Sequence, residues 1–127
     1  MSTSPRPQKI QSYRDLIAWQ KAVDLAEYIH DASEQFPRRE IFALTAQIRR
    51  ATYSISSNIA EGQGRATTPD FLNFLSIARG SLFEVQSQVY VAQRLRYVDA
   101  ATCKKLVDAT DELGRIVNGL IKSLQRR

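Results

Sequence analysis

The sequence predicts an all-α protein: an antiparallel up-down-up-down four-helix bundle that packs against copies of itself. Three observations point there. The stretch EIFALTAQIRRATYSISSNIAEGQGR, Glu40 to Arg65, carries only two ionised side chains between Ile41 and Ala60, namely Arg49 and Arg50. A surface helix would give water a whole polar face, so this one needs cover on more than one side. Leu106, Leu113 and Leu120 recur every seven residues with Cys103, Thr110, Val117 and Leu124 interleaved, the pattern of a bundle seam. Pro37, the pair Gly62 and Gly64, and Asp99 leave only short connections, which favour antiparallel neighbours.

The first helix starts at Ser12, which can cap a free N–H while Asp15 reaches back in a capping box. Leu16, Trp19, Val23, Ala26 and Ile29 then form its apolar stripe, and Pro37 ends the run. The second helix follows that turn directly and stops near Gly62 and Gly64, read as left-handed C-terminal glycines. Thr68 is the expected cap of the third, with Pro69 at its first position and Asp70 near the positive end of the dipole. That helix continues to about Leu95, and Asp99 caps the fourth.

The third helix repeats the oddity of the second: from Thr68 to Gln93 only Asp70, Arg79 and Glu84 are ionised, while apolar and aromatic residues spread around most of it. One bundle cannot hide that surface, and large apolar patches mark interfaces. The expectation is therefore a homo-oligomer built through the second and third helices, with the first and fourth more exposed. Gly80 and Ser81 would admit a neighbouring helix at close range.

Composition bounds the remaining classes. A chain of 127 residues with 43% hydrophobic and 24% charged residues is long enough for one self-sufficient core, and no run is long and apolar enough to span a membrane. Residues 1–11 read as a flexible tail without a signal-peptide core and residues 12–127 as one domain, with cytoplasmic residence as the default. Cys103 is the only cysteine, which excludes an internal disulfide. The net charge of +5 is uneven: two basic and five acidic residues between Ser12 and Phe36 leave the rest of the chain strongly positive. A polyanion is one partner that would suit it, but charge alone favours the ordinary solvation of a basic protein.

No catalytic, cofactor or metal constellation emerges. His30 has no second histidine or nearby cysteine, Cys103 sits on a seam without an activating partner, and Gly62, Gly64 and Arg65 follow a helix without a phosphate-loop signature. Trp19 and Tyr28 are packing residues at their spacing, or stacking residues if exposed on a basic surface.

The second helix divides into three faces at about 100° per residue. Ile41, Leu44, Ile48, Ala51, Ile55 and Ile59 suit the core, and Phe42, Arg49, Tyr53 and Ala60 lie on another face. Arg50, Ser54, Ser57 and Glu61, with Gln47 and Asn58 at the edge, form a polar stripe. That stripe reads as a hydrogen-bonded subunit contact joining Arg50 and Glu61 around Ser54 and Asn58, because partly buried polar groups need local partners. Arg49, Arg50, Arg65, Lys122, Arg126 and Arg127 are candidate contacts to nucleic acid or to a partner protein.

The runs YRDLIAWQKAVDLAEYIH, FPRREIFALTAQIRRATYSISSNIAEGQGR and FLNFLSIARGSLFEVQSQVYVAQRL resemble the small bacterial four-helix bundle proteins encoded by intervening sequences within 23S rRNA genes. The resemblance covers about Tyr13 to Leu124. Its most specific part is the order of Arg49–Ala51, Ser54, Asn58–Gly62, Arg65 and Ala78–Glu84. That family also resembles the accessory proteins of diversity-generating retroelements, barrel-shaped homopentamers that associate with nucleic acid and a reverse transcriptase. The resemblance implies a pentameric ring and admits nucleic-acid binding; the family's old ribosomal-protein label implies no function. Two readings stand: a non-enzymatic oligomeric scaffold that binds RNA or DNA through a basic surface, or a protein–protein adaptor without nucleic acid.

Overall fold

A computed structural model describes residues 10–126; most of the expected tail, residues 1–9, and the candidate contact Arg127 lie outside them. Four helices account for most of that span: α1 (Ile17–Ser33), α2 (Leu44–Gln63), α3 (Thr68–Arg94) and α4 (Ala100–Gln125), with no strand among the described residues. Each helix packs on its sequence neighbours, and α1 also packs on α4. Cross-helix pairs run in opposite order along neighbours. Arg79 of α3 meets Asn118 of α4 while Gln86 meets Thr110, and Lys21 of α1 meets Glu112 while Tyr28 meets Lys105.

The capping box at Ser12 forms, with Asp15 accepting from the Ser12 N–H at 3.3 Å, but it closes only a 3-10 turn over Tyr13–Asp15. Leu16 is then extended and buried, and α1 begins after it. The expected stripe is half right. Leu16 and Ile29 are buried, yet Val23 is exposed and Trp19 and Ala26 only half-buried, because Ala18, Ala22 and Leu25 face the core instead. Alanines at 18 and 22 let the neighbouring helices come close, and their weak hydrophobicity hides that face in the sequence pattern.

The second helix does not follow Pro37 directly. A 3-10 turn over Arg38–Glu40 and an irregular Ala43 delay α2 to Leu44. Glu40 is held outside the helix by the Tyr97 hydroxyl, which donates to its carboxylate at 2.6 Å. Ile41, expected in the core, is therefore 49% exposed, and Phe42 projects at 94%. Ile48, Ala51, Ile55 and Ile59 are buried as expected.

The glycine reading needs correction. No described glycine has a positive φ. Gly62 lies inside α2 and is buried, and a Cβ there would stand 2.7 Å from the Phe74 Cβ, so its missing side chain serves close approach of α2 to α3. Gly64 caps α2 in a right-handed conformation. The left-handed residue is Arg96, φ 64°, just past α3, where the Tyr97 N–H reaches back to the Ala92 carbonyl at 2.8 Å. Outside its own helix, no described residue lies within 4 Å of a Cβ placed at Gly80, so no helix of the same chain approaches it closely.

The cap of α3 is Thr67, one residue earlier than expected, its hydroxyl accepting from the Asp70 N–H. Asp99 caps α4 as expected, accepting from the Thr102 N–H at 2.7 Å, which holds its carboxyl below the usual range. Along the α4 seam Cys103, Leu106, Thr110, Leu113, Val117 and Leu124 are buried and Leu120 half-buried.

Candidate functional site

The polar stripe of α2 lies against α3. Ser54 Oγ and Ser81 Oγ share a hydrogen bond of 2.9 Å, and Asn58 Nδ2 donates to the Ser54 carbonyl at 2.8 Å and to its hydroxyl at 3.0 Å. These partners sit within one chain, which satisfies the half-buried amide and hydroxyls without a second subunit. Glu61 turns to Arg65, one helical turn on, at 3.1 Å, and does not join Arg50. Ser57 is exposed.

Next to the serine pair a groove of about 260 Å³ opens between α2 and α3, lined by Gln47, Arg50, Ala51, Ser54, Ser81 and Glu84. Arg50 has no hydrogen-bond or ion-pair partner among the described residues. One turn along α3, Gln88 donates to Glu84 at 3.2 Å, while its own buried Oε1 receives no hydrogen bond. A buried acceptor without a donor costs free energy. Ile77, Val91 and Leu95 share this edge of α3 at helical spacing, and all three are exposed.

Arg49 and Arg65 are engaged. Arg49 faces α1: its Nε donates to Ser33 Oγ at 2.8 Å and its Nη2 to the His30 carbonyl at 3.4 Å, placing a cation at the negative end of that helix. Arg65 pairs with Glu61 and lies over the Phe74 ring, 4.6 Å from its centroid. Lys122 and Arg126 are exposed at the far end of α4. The five described candidates thus form no single patch.

Phe42, Glu84 and Gln88 were missed by the sequence reading. The spacing Ile77, Ser81, Glu84, Gln88, Val91 and Leu95 was a usable signal for the α3 edge. Nothing in the sequence marked Phe42 as projecting. Burial pushes the Cys103 thiol up, which disfavours its reactive thiolate. His30 is exposed beside Asp31 and Glu34.

The family described as 23S rRNA-intervening sequence protein matches residues 14–119, from the turn before α1 to the last third of α4. The chain belongs to this family. The matched span of this 23S rRNA-intervening sequence protein contains the whole α2/α3 edge and the Arg79–Asn118 contact, and stops before Lys122 and Arg126. A crystal structure at 1.70 Å of a protein with unknown function from the S23 ribosomal protein family of Bacteroides thetaiotaomicron VPI-5482 is similar, with a TM-score of 0.77. It is 22% identical, covering 84% of this chain and 99% of its own, a likeness that carries the fold alone. No curated protein matches the chain. No described helix is long and apolar enough to cross a membrane.

Proposed function

We propose that this 23S rRNA-intervening sequence protein is a non-enzymatic scaffold: an up-down-up-down four-helix bundle that assembles into a pentameric ring and binds RNA or DNA through basic surfaces repeated by the symmetry. The observation that carries the assembly is the apolar edge left uncovered in the single chain. Phe42 and Ile41 project before α2, and Ile77, Val91 and Leu95 line the edge of α3. Val91 and Leu95 lie one turn apart with Ile77 at the other end of the stripe, and exposed apolar side chains gathered on one helix edge mark a protein contact. The subunit number rests on the resemblance to retroelement accessory proteins. Nucleic-acid binding is supported by the net charge of +5, repeated in each subunit, and by the unpartnered Arg50.

A second reading has its own support. Asp24, Glu27, Asp31 and Glu34 are exposed along α1, an acidic face suited to a basic protein partner in an adaptor.

Light scattering at micromolar concentration tests the assembly. A mass of five chains is expected, and Phe42→Glu with Ile77→Glu should return a folded single chain. A wild-type monomer would overturn the scaffold. A salt titration against labelled RNA and DNA tests the partner: affinity should fall steeply with salt, and no binding at low salt would leave the adaptor.

A further inference from the structure

A different face of the bundle, between α3 and α4, carries two aromatic side chains flanked by basic ones. Arg79, Phe83, Tyr90 and Arg94 follow one another at spacings of four, seven and four residues, which puts them along one stripe of α3. Phe83, near the middle of α3, is 58% exposed, and Tyr90, in its last two turns, is 48% exposed. Phe83 lines a shallow groove of about 220 Å³ with Arg115 and Asn118 of α4. Asn118 accepts from Arg79 Nη1 at 3.0 Å, which anchors that guanidinium beside the groove.

The charge of this face is only partly cancelled locally. Asp111 lines the same groove and keeps its negative charge while accepting from the neutral Gln86 amide at 2.8 Å, one acid against three arginines; Asp108 is paired with Lys104 at 2.8 Å. Arg94 and Arg115 are exposed and have no side-chain partner among the described residues. Exposed rings ask for a flat apolar surface, and the arginines flanking them ask for anions on either side. A nucleic-acid single strand offers both, since its bases present open π-faces and its backbone repeats a phosphate. A duplex hides those faces in its own stack.

We propose that the α3/α4 face is a stacking platform for single-stranded RNA or DNA, with bases on Phe83 and Tyr90 and phosphates on Arg79, Arg94 and Arg115. Phe83 and Tyr90 are about 10.5 Å apart along the helix axis, and the arginines at 79 and 94 about 22 Å, so one subunit holds a segment of a few nucleotides. The platform rests on the reading of the protein as a nucleic-acid scaffold and names the form of its ligand. It lies on a different flank of α3 from the apolar assembly edge.

The test is fluorescence anisotropy with labelled single-stranded RNA, single-stranded DNA and a DNA duplex, on wild type, Phe83→Ala/Tyr90→Ala and Arg94→Ala/Arg115→Ala, each checked for helicity and mass. Wild type should prefer either single strand to the duplex. The aromatic double variant should bind single strands at least ten-fold more weakly while keeping its mass and helix content. The arginine variant should flatten the salt dependence by about 0.7 for each phosphate it no longer neutralises. Absence of any wild-type binding at low salt sinks both the nucleic-acid reading and the platform. Wild-type binding that survives Phe83→Ala/Tyr90→Ala, or that favours the duplex, overturns the platform alone. A changed mass in the aromatic variant would make Phe83 and Tyr90 subunit contacts and likewise overturn it.

Discussion

Arg49 and Arg50 are neighbours in sequence and opposite in fate. The α1/α2 seam uses Arg49 as a staple, joining Ser33, which is almost fully buried, and the His30 carbonyl in the last turn of α1. On the α2/α3 seam Arg50 lines an open groove without a bonded partner among the described residues, and Gln88 keeps an unsatisfied oxygen. One flank of α2 is complete within the chain and the other is not. A basic dipeptide therefore says little about ligand contact until the face of each residue is known.

The largest stability effect should come where the α2/α3 seam does close. Gly62→Ala places a Cβ 2.7 Å from the Phe74 Cβ, an atom fixed to the α3 backbone, so the helices must part. Overpacking should cost about 2 kcal/mol despite the better helix propensity of alanine, read as a lower urea midpoint. A variant as stable as wild type would show that the helices are not in such tight contact. The two arginines are the next comparison. Arg49→Ala should lower stability by about 1–2 kcal/mol, because it removes a charged donor from the Ser33 hydroxyl and a cation from a helix end. Arg50→Ala should stay within about 0.5 kcal/mol under conditions where the chain is monomeric. Equal effects would erase the distinction between the two seams.

Much of the fold was legible because helix signals are local. The seven-residue repeat gave the α4 seam, and the Asp99 cap lies where its spacing put it. What was misread depends on partners far away in sequence. Ile41 fits the helical period of Ile48 and Ile55, yet it lies outside α2 beside Glu40, whose carboxylate is bonded to Tyr97, 57 residues on. Gly62 reads as a terminator until Phe71 and Phe74 are placed against it. Of the polar stripe, Ser54 finds a partner in Ser81, 27 residues on in the same chain, which no local pattern announces. Val23 and Ala22 are adjacent in sequence, and which of them faces inward is decided by how closely the neighbouring helices approach.

The smallest expected effect concerns the end of the bundle where the α1/α2 and α3/α4 connections meet. The Tyr97 hydroxyl donates to Glu40, and this bond, followed by partial burial and the Glu40 charge, raises the phenol above its ordinary value, with Arg39 opposing. An acid whose folded value is raised favours its protonated form in the native state. Its contribution is fully present below the unfolded value near pH 10 and is lost as pH climbs through the folded one, when phenolate and carboxylate repel. Thermal unfolding of wild type and Tyr97→Phe from pH 8 to 12 should therefore show wild type slightly more stable at pH 8 and the gap closing at alkaline pH. Taking the difference between the two proteins cancels the lysines, which titrate in the same range. A gap that stayed constant to pH 12 would mean that the bond does not link the two connections, and that the Phe36 and Tyr97 rings, 5.6 Å apart, hold this end by packing alone.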